Sequence, residues 1–150
     1  MLRRLELTDM AQAALVHRTS FDHALPWLAG LHTPDEDRWF YRERVFRTCM
    51  LWGAFDASVM TGVIAFRDGW IDQLYVVPDA QRRGIGGALL DIAMRTSDCL
   101  RLWTFQRNVR ARGFYEARGF ELIEQSDGTR NEEKEPDALY LWTGSSRPDH

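Results

Sequence analysis

Apolar residues recur along this chain with two periods. Ile85, Ala88, Leu89, Ile92 and Ala93 fall at i, i+3, i+4, i+7 and i+8. That spacing predicts a core-facing helix over residues 85–96. Other runs are short, rich in β-branched and aromatic residues, and bounded by turn residues, the pattern of strands. Such runs cover residues 2–7, 49–55, 59–66, 70–77, 100–105, 121–125 and 138–142. Asp56-Ala57-Ser58 joins the second and third as a hairpin, Arg67-Asp68-Gly69 turns the chain again, and Pro78 stops the fourth.

Helix starts are also readable. Thr8 or Asp9 can cap a helix running to about residue 20, although Ala11, Ala14, Leu15 and Arg18 make only a weak stripe. Thr33-Pro34-Asp35-Glu36 combines a cap, a first-turn proline and a capping-box glutamate. The helix it starts carries Trp39, Phe40 and Val45 and ends near Arg47. Residues 108–118 form a last helix, with Gly119 as its stop and Phe120 folding back on its final turn. Residues 21–32 are irregular.

A length of 150 residues favours one domain, expected to span residues 1–144, with 145–150 as a flexible tail. With 45% hydrophobic and 27% charged residues the composition is that of a globular protein. A net charge of -3 argues against a general nucleic-acid binder. No apolar run approaches the roughly 20 residues of a membrane span, and MLRRLELTDM has no signal-peptide core. A cytoplasmic protein is therefore expected, without nucleic-acid or membrane partners. Cys49 and Cys99 lack metal-ligand spacing and are expected to be buried thiols. His17, His23, His32 and His150 show no ligand spacing either, so no metal is expected.

The stretch QRRGIGGALL, residues 81–90, places three glycines at the entrance of the 85–96 helix and two arginines before them. First-turn amides of a helix have no intrahelical acceptor, and the macrodipole adds to their attraction for anions. Gly84, Gly86 and Gly87 allow close approach of a ligand to the backbone. The guest this suits is a phosphate or diphosphate. Two familiar phosphate loops do not fit. No lysine follows the glycines as a P-loop requires, and Leu89 stands where the dinucleotide fingerprint needs its third glycine.

What fits is Gln/Arg-x-x-Gly-x-Gly/Ala at the end of a strand, which resembles the phosphate-binding motif of the GCN5-related N-acetyltransferase (GNAT) family. IDQLYVVPDAQRRGIGGALL resembles that family's fourth strand, loop and third helix. NVRARGFYEARGF, residues 108–120, resembles its second signature, Asn-x-x-Ala-x-x-Phe-Tyr-Glu-x-x-Gly-Phe. The match covers residues 70–120, and the order of elements fits over nearly the whole chain.

The resemblance implies an α/β fold, with a mixed, mostly antiparallel central sheet and helices on both faces. It implies an acyltransferase enzyme that carries an acetyl group from acetyl-CoA to an amine by direct ternary-complex attack. On that reading the backbone of Arg82, Arg83, Gly84, Ile85, Gly86 and Gly87 holds the diphosphate. The pantetheine arm pairs with the backbone of Leu74, Tyr75 and Val76. Asn108 helps fix the cofactor, and also stands where a helix cap belongs. Tyr115, two turns further on, contacts the cofactor and is the general acid for the leaving thiolate. Asp72 is the side-chain candidate for the base that deprotonates the amine, with Glu124 a weaker one. His32, the acidic run 131–135, Trp27, Trp70 and Trp103 are further acceptor-side candidates. Gly113 is unexpected, since a helical glycine costs about 1 kcal/mol relative to alanine. The acceptor is a small-molecule or peptide amine, and the enzyme a monomer or homodimer. The alternatives are transfer of another acyl group, or a non-catalytic CoA-binding sensor or partner module.

Overall fold

The computed structural model describes residues 1–144, so the expected tail lies outside the described residues. The strands are β1 (Leu2–Arg4), β2 (Met50–Asp56), β3 (Val59–Arg67), β4 (Trp70–Val76), β5 (Cys99–Phe105), β6 (Glu121–Ser126) and β7 (Asp137–Thr143). The helices are α1 (Met10–Ala24), α2 (Pro34–Phe40), α3 (Phe46–Thr48), α4 (Ile85–Thr96) and α5 (Val109–Glu116). The strands follow the order β1-β2-β3-β4-β5-β7-β6. The registers of β1–β2, β2–β3, β5–β7 and β6–β7 are antiparallel, and that of β4–β5, at Trp70↔Arg101, is parallel. This is the mixed, mostly antiparallel sheet with flanking helices that the sequence leads one to expect.

The described residues divide into two compact units, one of Met1–Arg67 with Ile71–Ala93, the other of Asp68–Trp70 with residues 94–144. In the first, β2 and β3 bury side chains on both faces, and two glycines show what lies on each. Gly53 pairs with Val63, so Gly53 and Gly62 point to opposite faces. A Cβ on Gly53 would come within 2.7 Å of the Leu5 side chain. One on Gly62 would meet Ile85 at 3.0 Å and Leu89 at 3.1 Å. α4 therefore packs against the Gly62 face. The other face carries a core of Met10, Ala13, Ala14 and Val16 from α1 with Tyr41, Val45, Leu51 and Val63.

The first strand is shorter than expected and α1 is longer. A 3-10 turn, Leu7–Asp9, replaces the end of the strand. Asp9 does not cap α1 with its side chain. Its carboxylate instead accepts from the Glu6 amide at 2.7 Å and from the Arg3 guanidinium at 2.9 and 3.0 Å. The stripe read from the sequence is weak because Ala11 and Leu15 face solvent, while α1 buries Met10, Ala13, Ala14, Val16 and Phe21 instead. The capping box of α2 forms in both directions, from the Glu36 amide to Thr33 Oγ1 at 3.1 Å and from the Thr33 amide to Glu36 Oε1 at 2.7 Å. Between α2 and α3 the chain widens into a π-helical turn, Tyr41–Val45, with Tyr41 fully buried.

In the second unit β5 pairs with β7, and α5 bonds to β7 through Tyr140. Leu100 and Leu102 oppose Trp142 and Tyr140 across the ladder. The Tyr115 and Phe120 rings lie 5.5 Å apart, and Phe120 faces Trp142 at 6.3 Å. Gly119 ends the helix at φ +92, and the Phe120 amide returns to Tyr115 O at 3.1 Å. Buried Tyr140 fixes the rotation of α5. Its hydroxyl donates to Glu116 Oε2 at 2.6 Å and accepts from Arg112 Nε at 2.9 Å.

Candidate functional site

The passage from β4 to α4 is built in steps. The Val77 amide bonds Thr61 O at 2.9 Å, which anchors the strand end to β3. Pro78–Ala80 forms a 3-10 turn, with the Ala80 amide on Val77 O at 3.0 Å and the Gln81 amide on Pro78 O at 3.3 Å. Arg82 then takes a left-handed conformation, φ +67, and Gly84 does so at φ +81. The first helical bond of α4 runs from the Ala88 amide to Gly84 O, 3.0 Å. The amides of Ile85, Gly86 and Gly87 thus precede the intrahelical ladder, at the positive end of the helix dipole. Gly84 is exposed, and a Cβ there would meet nothing within 4 Å. Glycine serves here for its backbone conformation and for an open approach. Arg82 and Arg83 are exposed. A pocket of about 350 Å³ opens beside the loop, lined in part by Arg83, Gly84, Ile85 and Thr61.

Leu74, Tyr75 and Val76 close β4, each partly exposed. Val76 O accepts from Gln81 Nε2 at 2.9 Å. The Tyr75 ring packs on the His17 imidazole with centroids 4.3 Å apart. His17 Nδ1 lies 2.7 Å from the Tyr41 hydroxyl. Burial first, then the Arg18 charge, hold His17 down at about 3, and burial pushes the Tyr41 phenol well up. The pair therefore stays neutral, joined by one hydrogen bond whose direction follows the His17 tautomer. No spacing in the sequence announces this cluster.

Asp72 is exposed on β4. Its Oδ2 accepts from Arg67 Nε at 2.7 Å and from the Cys49 thiol at 3.3 Å. Burial pushes the Cys49 thiol up to about 11, and the Asp72 charge adds to this. The expectation of buried cysteines is corrected here. Cys49 and Cys99 are both only partly covered, because each lies at a strand boundary rather than inside a packed face. Among the described residues no group of three or more His, Cys, Asp and Glu is placed to hold a metal ion.

The second unit carries the other expected residues. Asn108 caps α5 through Oδ1, which accepts from the Ala111 amide at 3.2 Å. The cap makes no use of its Nδ2 donors. Tyr115 is 8% exposed, edge-on to Phe114 at 5.2 Å. A Cβ on Gly113 would meet nothing within 4 Å, so no close packing within the chain demands glycine there. Glu124 is exposed on the edge strand β6. In the 131–135 run Glu135 is buried, not solvated. It takes both Arg107 Nε at 2.7 Å and Nη2 at 2.9 Å. Trp27 and Trp103 are exposed, Trp70 and His32 partly so. His150 lies outside the described residues.

Comparison with known proteins bears on these features. The family model described as an acetyltransferase (GNAT) domain matches residues 32–122. A probable N-acetyltransferase of Mycobacterium tuberculosis is 46% identical over 54 residues, 35% of this chain and 31% of that protein. The peptidyl-lysine N-acetyltransferase YiaC of Escherichia coli is 29% identical over 84 residues, 55% of this chain and 58% of that protein. The chain thus spans between about a third and three fifths of these curated relatives. Among solved structures, apo YjaB of Escherichia coli superimposes with a TM-score of 0.80 at 21% identity, covering 96% of this chain and 97% of that one. YncA of Salmonella typhimurium, solved with acetyl-CoA, gives 0.71 at 16% identity, covering 98% and 95%. These structures share the fold, and the family model spans more than half of the chain, including the glycine loop and α5. The chain belongs to the GNAT acetyltransferase family.

Proposed function

We propose that this chain moves an acetyl group from acetyl-CoA to a primary amine by direct attack within a ternary complex. The observation that carries the reading is the 82–87 loop, with its left-handed Arg82 and Gly84 and the open first-turn amides of α4. Acetyl-CoA supplies an activated thioester; the chain supplies binding, orientation and proton transfer. The amides of Ile85, Gly86 and Gly87 take the diphosphate oxygens. Backbone groups of Leu74, Tyr75 and Val76 take the pantetheine arm, Val76 O with the lone pair that Gln81 leaves. Asn108 offers its Nδ2 donors while Oδ1 keeps the cap.

Tyr115 protonates the departing thiolate. An ordinary phenol titrates near about 10 and a thiol near about 8.5, so this transfer needs no unusual tuning. Asp72 receives the amine proton through Oδ1, since Oδ2 is held by Arg67 and Cys49. A cytoplasmic monomer or homodimer is part of the reading. No helix among the described residues is long and apolar enough to cross a membrane.

Two measurements test it. Acetyl-CoA should raise the melting temperature, because a ligand bound only by the folded state stabilises it by mass action. Thiol release should then appear with one class of amine among lysine peptides, polyamines, amino acids and aminoglycosides. The likeness to YiaC puts lysine peptides first. Stabilisation without thiol release for any amine would leave a non-catalytic CoA-binding module. Release from another acyl-CoA but not from acetyl-CoA would change the donor. No stabilisation by any CoA ester would end the reading.

A further inference from the structure

We propose that Gln81 is a positioning residue that straps the glycine loop to the end of β4 and so holds the α4 amides in their anion-accepting arrangement. The inference rests on the reading of that loop as the donor cradle. Arg82 carries a Cβ and still sits at φ +67. A side-chain-bearing residue keeps that conformation only when its surroundings over-determine it. On the far side of the loop the constraint is packing, since Ile85 and Leu89 close on Gly62. On the near side lies a short 3-10 turn, Pro78–Ala80, whose amide bonds are local. The Gln81 backbone is extended, φ -69 and ψ 158, so the chain leaves the turn at this residue.

Here the side chain reaches back five residues, from Nε2 to Val76 O at 2.9 Å. That bond closes a ring through residues 76–81 and ties the turn to the strand. Val77 extends the tie to β3 through Thr61 O. Arg82 begins directly after the strap. Loss of the strap frees the turn to pivot about Val77, and the strained Arg82 conformation loses its near-side support. The cradle would then have to be ordered by the ligand itself, and affinity falls by the cost of that ordering.

The test uses the full chain, with Gln81→Ala and Gln81→Met; the second keeps the side-chain volume but not the donor. Hydrogen exchange is followed without ligand, and CoA binding by calorimetry. Expected are Ala80 and Gln81 amides exchanging about tenfold faster in both variants, the equivalent of one modest hydrogen bond. The CoA Kd and the acetyl-CoA KM should rise by about tenfold with kcat within about twofold, the signature of lost binding rather than lost chemistry. Melting temperature without ligand should stay near wild type. Unchanged exchange in both variants would overturn the strap, even if affinity falls, since Gln81 would then act as a direct ligand. Exchange raised throughout the chain with a lowered melting temperature would also overturn it, as a general structural defect. A wild-type protein that does not bind CoA would remove the cradle reading separately, before any variant is measured.

Discussion

Acidification should destabilise this fold through His17, by an amount the structure sets. The imidazole is held at about 3 rather than its ordinary 6.5, by burial first and the Arg18 charge second, with Asp37 opposing and His32 adding. Between those two values the unfolded chain binds a proton that the folded chain refuses. Stability is therefore full above about pH 6.5 and declines as pH falls toward 3. The displacement amounts to about 5 kcal/mol over the whole window, and to about 3 kcal/mol by pH 4. For a protein of this size about 3 kcal/mol corresponds to about 6–12 °C of melting temperature. The physical cost is specific. An imidazolium at this place gives up its hydration on burial, and it stands near the Arg18 charge.

The measurement is urea or thermal denaturation from pH 7 to 4 for wild type and His17→Gln. The variant should be less stable at pH 7, having lost ring packing, but flatter in pH. Asp9, held below the usual carboxylate range first by its Arg3 bond, and Asp127, held down by Thr129, also lose stability in acid. Both groups are common to the two proteins and drop out of the difference. Parallel curves, or a His17 resonance titrating near about 6.5, would refute the reasoning.

Three further outcomes are expected. Tyr115→Phe keeps the ring between Phe114 and Phe120; kcat should fall by about 10²- to 10⁴-fold with CoA affinity intact, and wild-type turnover would make Tyr115 a core aromatic only. Asp72→Asn should lower turnover most at low pH, where free amine is scarce, and a pH–rate profile overlaying wild type would place the base elsewhere. Gly128→Ala sets a Cβ 2.4 Å from the Glu135 carbonyl at φ +84, which should cost at least about 2 kcal/mol in a melting experiment; a drop of less than about 2 °C would show that the loop yields.

What was legible in the sequence was local. α4 spans Ile85–Thr96 as its stripe and glycine entrance indicate, and the Thr33–Glu36 box forms as spelled. Both follow from interactions within a few residues along the chain, where periodicity and capping chemistry act directly. The two signatures that resemble the GNAT family are of the same kind, one a strand, loop and helix in succession, the other a helix with its cap and stop. The stripe does understate α4, since Leu90 is also buried. Its burial depends on what surrounds the helix, which no periodicity records.

Pairings between distant residues were decided by tertiary structure alone. His17 meets Tyr41 and Tyr75, from a π-helical turn and a strand end. Asp72 meets Cys49, from before β2, and Arg67, across the β3–β4 turn. Glu135 reads as one acid in a polar run, yet it is buried because Arg107, from the segment before α5, satisfies both its oxygens. A residue's type states what partner it needs; which partner arrives depends on the register of the sheet and on where the helices pack. Gln81 shows the boundary between the two. Its place in the motif is a matter of sequence, but the direction of its side chain, back to Val76 rather than out toward a ligand, was set by the turn that Pro78–Ala80 makes in three dimensions.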